Sequence, residues 1–466
     1  FVNEFRKEMN VLKININNYE DETLTTGNYG IRYRAFKDIV YVENPVADIQ
    51  KLNIFAPLAY FHGGSINGYN AKTAPIFMPN TVGGYMPGPR DYPGNTSQPN
   101  SSKTIVAALE HGYVVVSTGL RGRTLVENGK YIGKAPAFIV DMKAAIRFIR
   151  HNSELIPGNV DRIITNGTSA GGATSALTGT SGNAPFFDKY LKELGAADES
   201  DAIFAASCYC PIHNLEHADS AYEWQFNGIN DWSKLNYGTG KVETGKLSDE
   251  QIELSKELKY QFIDYLNSLQ LQDDNGQELS LDNNGQGSFL NYVKNFIIQS
   301  AQKALDSNQT VNSDSGVIIE NGVVKDIDWS KYLDFITRMK STPAFDDLKM
   351  KNPEPNLFGT EKIDSQHFTK FTQEHSKVPS TLADQEIVQA INPLQYLDNN
   401  DSAKYWRIRH GASDRDTSFA IPIILATSLK NTGHKVDFAM PWNTPHSGDY
   451  DLRDLFTWID KVCAEG

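Results

Sequence analysis

The stretch Arg162–Gly172, RIITNGTSAGG, places a short apolar run directly before a Gly-x-Ser-x-Gly motif centred on Ser169. The apolar run predicts a buried strand, and the small residues of Gly172–Leu177 predict a helix that packs closely on a sheet. A strand, a sharp turn and a helix are the context in which this motif forms a nucleophile elbow. Because Gly167 and Gly171 allow close approach, we expect Ser169 at the tip of a strained turn, above the positive end of a helix.

Strand and helix patterns alternate on both sides of this turn. Tyr113–Ser117 is a strand pattern without charge, as expected of a strand covered on both faces, and Ile139–Arg150 has the period of a mostly buried helix. This alternation predicts a mostly parallel central sheet flanked by helices. Further strands, the first three of them antiparallel, are predicted at Tyr29–Ala35, Ile39–Val42, Leu52–Ala56, Pro75–Pro79, Ile203–Ala206, Tyr405–Arg409 and Val436–Met440.

The alternation stops in the middle of the chain. From about Cys210 to Asn392, helical segments are joined by polar loops such as Asp273–Gly276. We therefore predict a core made of residues 1–209 and 393–466, and a large, mainly helical insertion at residues 210–392. An insertion at this point would form a lid over the serine, a device that enzymes use to exclude water and to select substrates.

The charge of the chain excludes some partners. The 466 residues carry a formal net charge of −13, which argues against nucleic acids and anionic membranes. The sequence has no run of about twenty apolar residues, so we expect no transmembrane helix. We expect a monomer that binds small molecules, with neither a nucleic acid nor a membrane as partner.

The cysteines and the first residue bear on the compartment. Cys208, Cys210 and Cys463 are too few for a disulfide framework, and we interpret them as buried small hydrophobic residues. We expect a cytoplasmic protein. Because the chain opens at Phe1 rather than at a methionine, an exported protein with a trimmed N-terminus is the alternative.

A serine needs an imidazole to take its proton and a carboxylate to orient that imidazole. Asp414 follows the strand Tyr405–Arg409, and His446 follows the last predicted strand. The order serine, acid, histidine is that of the α/β-hydrolase fold. Asp416 is an alternative acid, whereas His410 precedes the acid and breaks the order. We therefore predict Ser169, Asp414 and His446 as the catalytic residues.

Two glycine-rich segments compete as the oxyanion loop. His62–Gly64 resembles the HGG motif of lipases but follows an irregular stretch, and we interpret it as a turn. Gly84 lies in a loop after the buried strand Pro75–Pro79. We predict the backbone N–H groups of Gly84 and Ala170 as the oxyanion hole.

A metal motif appears at the start of the insertion. His213–His217 matches H-x-x-E-H, in which two histidines on a helix could bind zinc with Glu216 as the base. A zinc site needs a third ligand that the sequence does not indicate. We therefore predict hydrogen-bonding or packing roles for these residues, and neither a metal nor an organic cofactor.

Four stretches closely resemble bacterial tannases, which are serine esterases that release gallic acid from galloyl esters. The resemblance extends from about Tyr41 to the C-terminus, and the stretches are Pro79–Tyr85, Asn166–Ala173, Tyr222–Gly228 and Arg409–Phe419. It implies the same triad. By resemblance, Lys340, Glu354 and Asp416 hold the galloyl hydroxyls, which a cation and two carboxylates can bracket by charge-assisted hydrogen bonds.

The sequence thus predicts a serine esterase that hydrolyses galloyl esters, namely tannins, alkyl gallates and galloylated catechins, through an acyl-enzyme. Its partners would be these small esters and gallic acid. The alternative is a feruloyl-type or general carboxylesterase with the same triad. A non-catalytic binder on an esterase scaffold and a metalloprotease built on His213 and His217 are the other hypotheses.

Overall fold

The computed structural model describes residues 11–26, 29–236 and 238–466. In these ranges nine strands form one sheet in the order β1-β2-β3-β5-β4-β8-β9-β14-β15, and six more form three small hairpins. The strands are β1 (Glu20–Thr26), β2 (Tyr29–Val40), β3 (Lys51–Pro57), β4 (Pro75–Pro79), β5 (Val114–Thr118), β6 (Val126–Glu127), β7 (Lys130–Tyr131), β8 (Asn159–Thr168), β9 (Ala205–Tyr209), β10 (Asp231–Leu235), β11 (Val242–Lys246), β12 (Val317–Glu320), β13 (Val323–Ile327), β14 (Tyr405–Arg409) and β15 (Lys435–Ala439).

The helices lie between these strands and in the long segment that joins β9 to β14. They are α1 (Pro99–Glu110), α2 (Ala137–His151), α3 (Ala170–Thr180), α4 (Asp188–Leu194), α5 (Leu215–Phe226), α6 (Asp249–Leu269), α7 (Ser288–Asp306), α8 (Trp329–Ile336), α9 (Pro353–Leu357), α10 (Lys370–Glu374), α11 (Gln385–Ala390), α12 (Ala420–Asn431) and α13 (Leu452–Glu465). No helix of the described ranges is long and apolar enough to cross a membrane.

The sheet is mostly parallel and is covered on both faces. Strands β1, β2, β3 and β5 pair antiparallel, whereas β5, β4, β8, β9, β14 and β15 pair parallel. Along β4, Ile76 and Met78 belong to the core on one face and Phe77 to the core on the other. This alternation is the two-residue period of a strand. The predicted α/β-hydrolase fold is confirmed.

Two strand predictions need correction. Tyr29–Ala35 and the first two residues of Ile39–Val42 belong to the single strand β2, which ends at Val40 and whose register shifts between Phe36 and Ile39. Asp38, with a φ of 60°, forms this irregularity, which looks like a strand end in the sequence. The strand predicted at Ile203–Ala206 is β9, which starts two residues later because its pairing with β8 begins at Ala205.

The segment between β9 and β14 contains seven of the described helices, α5 to α11, but also two hairpins that the sequence does not predict. These are β10–β11 and β12–β13, whose residues are largely exposed; Val242, for example, is 65% exposed. Only Val324 and Ile327 of β13 are buried, three positions apart, so these strands have no two-residue alternation to detect. The domain limits 1–209, 210–392 and 393–466 stay a prediction, and they include residues 1–10, 27–28 and 237, outside the described ranges.

Candidate active site

The turn after β8 has the geometry of a nucleophile elbow. Ser169 has a φ of 64° and a ψ of −123°, a strained conformation for a residue with a side chain, and α3 starts at the next residue. A Cβ at Gly167 would lie 2.1 Å from the Gly171 carbonyl oxygen, and one at Gly171 would lie 2.7 Å from the Val82 carbonyl oxygen. Both positions therefore require glycine, and Ser169 is held at the tip of the turn.

The structure brings the three predicted triad side chains together. The Ser169 Oγ lies 2.9 Å from His446 Nε2, and His446 Nδ1 lies 2.8 Å from Asp414 Oδ2. These groups are separated by up to 277 positions in the sequence and meet because β8, β14 and β15 end at the same edge of the sheet. The arrangement suits a serine that passes its proton to an imidazole oriented by a carboxylate.

The electrostatics of this chain of hydrogen bonds favour a charged imidazole. Burial alone would lower the pKa of His446, but the carboxylate of Asp414 raises it well above its usual value. Burial likewise opposes ionisation of Asp414, yet the rings of His446 and His410 hold its pKa below the usual range. An ionised Asp414 beside His446 would stabilise the imidazolium that forms when a serine is deprotonated.

The two alternative residues occupy other positions. Asp416 Oδ2 lies 3.8 Å from His446 Nε2, on the side of the ring that faces the serine, and not at Nδ1. His410 is fully buried, with its Nε2 3.8 Å from Asp414 Oδ2, and within the described ranges neither of its ring nitrogens has a hydrogen-bond partner. Geometry therefore favours Asp414 over Asp416 as the acid, and His446 over His410 as the base.

A second cluster lies next to the triad and contains the three residues inferred from the resemblance. Lys340 Nζ donates a hydrogen bond of 2.8 Å to Asp416 Oδ1 and lies 4.0 Å from the centre of the Phe345 ring. Glu354 is 6% exposed, and among the described residues its Oε2 has no hydrogen-bond partner. Lys340 and Asp416 are thus paired beside His446, although 76 positions separate them. Glu354 lies close enough to both for their charges to act on its pKa.

Within this cluster, the pKa values of the two carboxyl groups are shifted in opposite directions. Burial raises the pKa of Glu354 to about 7, although Lys340 counteracts this shift. Burial also opposes ionisation of Asp416, but Lys340 and His446 lower its pKa to about 2. One carboxyl group is therefore ionised near neutral pH, while the other can be protonated and donate a hydrogen bond.

The raised pKa of Glu354 predicts a pH-dependent stability. Its folded-state pKa of about 7 exceeds the reference value of 4.5, so the folded protein binds the extra proton between these values, and stability falls as pH rises through this window. Glu354→Gln removes this dependence. We expect urea unfolding to show that the free energy of unfolding of the variant, relative to the parent, is higher at pH 8 than at pH 5. The difference between the two pH values should be up to about 3 kcal/mol. Glu257→Gln, at an exposed position, is the control, and equal behaviour of the two variants would contradict this expectation.

The predicted oxyanion loop is attached to the elbow. Gly84 and Tyr85 both have a φ of 56° and reverse the chain after β4. The Tyr85 hydroxyl donates to the Ile212 carbonyl oxygen at 2.5 Å, and the Ile212 N–H donates to the Ser169 carbonyl oxygen at 3.1 Å. Ala170 is the first residue of α3. The loop is therefore fixed relative to the serine, while the pairing of Gly84 and Ala170 as donors stays a prediction.

The competing glycine segment is a turn, as predicted. His62 ends a single turn of 3-10 helix, Leu58–Phe61, and the Gly64 N–H donates to the Ala59 carbonyl oxygen at 2.9 Å. His62 and Gly63 are exposed.

The zinc motif is not arranged as the motif requires. His213 precedes α5, and Asn214 at its N-terminus has a φ of 52°, so the two histidines do not lie on one helical face. The His217 ring stacks on Tyr265 at 3.6 Å, and Glu216 accepts a hydrogen bond from an asparagine. Burial lowers the pKa of both His213 and His217 to about 4. These residues pack and form hydrogen bonds.

Sequence reasoning missed two residues that connect the triad to the insertion. Arg415 lies between Asp414 and Asp416, and its Nη1 donates to the Ser233 carbonyl oxygen and to Thr337 Oγ1, both at 2.7 Å. The Tyr222 hydroxyl donates to the Arg415 carbonyl oxygen at 2.9 Å. It also accepts the N–H of Lys340 at 3.1 Å. Both residues lie in stretches that resemble the family, but nothing in their spacing indicates such contacts.

Comparison with known proteins identifies close relatives. A tannin acyl hydrolase from Lactobacillus plantarum has a solved structure that is 53% identical, with a TM-score of 0.95, and the match covers 98% of this chain and 99% of that one. A tannin acyl hydrolase solved in complex with ethyl gallate is 54% identical, with the same TM-score and the same coverage.

Two further matches are shorter. The family model BD-FAE matches residues 88–227. Esterase LipQ of Mycobacterium tuberculosis (strain ATCC 25618 / H37Rv) is 34% identical over 88 residues, which is 19% of this chain and 20% of LipQ. The match to LipQ thus spans about a fifth of that protein, whereas the tannin acyl hydrolases match over nearly their whole length.

Proposed function

Because the chain belongs to the bacterial tannases, a family of carboxylic ester hydrolases, we propose that it cleaves galloyl esters and releases gallic acid. The observation that carries this proposal is a hydrogen-bonded serine, histidine and aspartate beside a partly buried cluster of one cation and two carboxyl groups. The substrates are tannins, alkyl gallates and galloylated catechins.

In the proposed reaction, Ser169 Oγ attacks the ester carbonyl carbon while His446 Nε2 takes its proton. Asp414 holds the imidazole through Nδ1 and stabilises the imidazolium. The N–H groups of Gly84 and Ala170 stabilise the negative oxygen of the tetrahedral intermediate. His446 then protonates the leaving alcohol, and a galloyl ester of Ser169 remains.

Water completes the cycle. His446 takes a proton from water, which attacks the acyl-enzyme, and the imidazolium returns that proton to Ser169 Oγ as gallate leaves. Side chains, backbone N–H groups and water perform every step. The strained backbone of Ser169 supports this proposal, because it holds Oγ in place before substrate binds.

The charged cluster supports a hydroxylated ring as the acyl group. Lys340 can donate to a phenolic oxygen, while Asp416 and an ionised Glu354 can accept phenolic hydrogens. A ring without hydroxyl groups would cover these polar groups without bonding to them, which such a site penalises strongly. A methoxylated ring such as that of ferulate would leave part of the cluster unpaired.

A comparison of three esters tests this proposal. We expect the parent to have a higher kcat/KM for methyl gallate than for methyl ferulate or p-nitrophenyl acetate. Lys340→Ala should lower kcat/KM for methyl gallate by about 10- to 100-fold, the value of a hydrogen bond to a charged group. The loss should be much smaller for p-nitrophenyl acetate, which has no ring hydroxyl on its acyl side.

Lys351→Ala is the control, because Lys351 is an exposed lysine of the same insertion. The feruloyl-type or general carboxylesterase would be favoured instead by either of two results. One is a parent that prefers methyl ferulate, and the other is a Lys340→Ala variant whose kcat/KM falls equally on all three esters.

A further inference from the structure

The proposed reaction does not use Cys210, yet this residue lies against the triad. It directly follows β9, has a φ of 37° and is 1% exposed. Its Sγ donates a hydrogen bond of 3.4 Å to the carbonyl oxygen of Ser447, the residue after His446. Cys210 therefore lies at the carboxyl edge of the sheet, where β8, β9 and β14 all end.

Cys210 completes a set of metal-binding atoms. Its Sγ, one oxygen of Asp414 and one ring nitrogen of His446 lie within 4.8 Å of one another. Within the described ranges, these three residues are the one group of His, Cys, Asp or Glu side chains that meets this criterion. Ligand atoms around a tetrahedral zinc ion lie about 3 to 4 Å apart, so small side-chain movements would suffice.

The chemical types of these three ligands indicate which metal ions the site would bind. A thiolate, an imidazole and a carboxylate suit zinc and the softer cadmium ion. Calcium and magnesium prefer six or more oxygen ligands, and this cluster supplies a sulfur and a nitrogen instead. The carboxylates of Asp414 and Asp416 both face His446 and would compensate the charge of a divalent ion.

We propose that Cys210, His446 and Asp414 form an inhibitory binding site for thiophilic divalent cations such as Zn²⁺ and Cd²⁺. On binding, the Cys210 thiol releases its proton to solvent and its sulfur bonds to the metal. His446 binds as the neutral imidazole: the ring nitrogen that bonds to the metal gives up its hydrogen bond, and any proton on it leaves to solvent or to the other ring nitrogen. No electron transfer is involved. The inhibitory effect rests on the proposed function, since an imidazole bound to a metal can no longer take the proton of Ser169.

The burial of the ligands defines the route of entry. Cys210 and Asp414 are 1% and 0% exposed, whereas the side chain of His446 is 26% exposed. An ion must therefore pass His446 to reach the sulfur. It enters from the side on which Ser169 and Asp416 lie, which is also the side proposed for the substrate.

The test uses Zn²⁺, Co²⁺ and Mg²⁺ with the full chain and two matched cysteine variants. Cys208 lies in β9, two residues before Cys210, and is equally buried, so Cys208→Ser controls for Cys210→Ser. We expect Zn²⁺ to inhibit methyl gallate hydrolysis by the parent and by Cys208→Ser. Each rate is divided by the rate of the same variant without metal. On this scale, the Zn²⁺ inhibition constant of Cys210→Ser should exceed that of the parent by about tenfold or more. Mg²⁺ should not inhibit the parent.

A spectroscopic readout separates the site from the proposed reaction. Co²⁺ bound to a thiolate gives a sulfur-to-metal charge-transfer band, which we expect with the parent and Cys208→Ser but not with Cys210→Ser. Equal Zn²⁺ inhibition of both variants and the parent, or a band that survives in Cys210→Ser, would overturn the site. A band without inhibition would overturn its inhibitory effect, while the activity without metal tests the proposed function separately.

Discussion

Ser169→Ala should lower kcat for methyl gallate by about 10⁵- to 10⁶-fold, because removing the nucleophile of a serine hydrolase leaves only the oxyanion hole and substrate binding. The variant should still fold, since the Ser169 N–H and carbonyl oxygen keep their bonds to Tyr209 and Ala173. The binding of gallate should also persist, because the Lys340 cluster is unchanged. Steady-state kinetics and isothermal titration with gallate measure the two effects.

Ser447→Ala is the matched control for this variant. Ser447 lies beside His446 on the same loop, but its hydroxyl donates to the carbonyl oxygen of Pro445. We expect its activity to stay within about threefold of the parent, as for a surface hydroxyl of little energetic weight. A Ser169→Ala variant that retained activity within tenfold of the parent would reject the assigned nucleophile.

Asp414→Asn should lower kcat by about 10⁴-fold, since an amide holds the imidazole in the wrong tautomer and cannot stabilise the imidazolium. The pKa of His446 should fall in this variant, because the carboxylate that raises it is lost. Proton NMR of the imidazole and the kcat profile against pH measure this shift.

Asp416→Asn distinguishes the roles of the two carboxylates in the acid loop, which is the segment Asp414–Asp416 after β14. Asp416 pairs with Lys340 at 2.8 Å and not with His446 Nδ1, so we expect a loss that appears mainly in KM for methyl gallate, by about 10- to 100-fold. If Asp416→Asn had the larger effect on kcat, Asp416 would be the catalytic acid.

Much of the fold could be predicted because its elements have strong local patterns. The sequence predicts β4, β5 and β14 nearly residue by residue. Strands β4 and β5 are runs without charge, as expected of strands buried on both faces, whereas β14 is equally buried but carries Arg407 and Arg409. The sequence does not predict the hairpins β10–β11 and β12–β13, for the opposite reason. Their pairing is stabilised by backbone hydrogen bonds, which leave no two-residue alternation in a mostly exposed sequence.

The geometry of the candidate site could be predicted only in part. The order of Ser169, Asp414 and His446 follows from topology, because loops at the carboxyl edge of a parallel sheet converge. The positions of Lys340 and Glu354 depend on how the insertion packs against the core. Only the resemblance to the family indicates that these two residues belong to the site. Cys210 is buried, as predicted, but its place beside His446 and Asp414 follows only from the fold.

The acid loop assigns a different partner to each of three consecutive residues. Asp414 contacts His446, Arg415 anchors the loop to Ser233 and Thr337 of the insertion, and Asp416 pairs with Lys340. Deleting a single codon here would shift all three partners at once, whereas a substitution removes one partner at a time. Chimeric enzymes that exchange the insertion between relatives must therefore carry matching anchors for Arg415, or the carboxylate behind the imidazole will be misplaced.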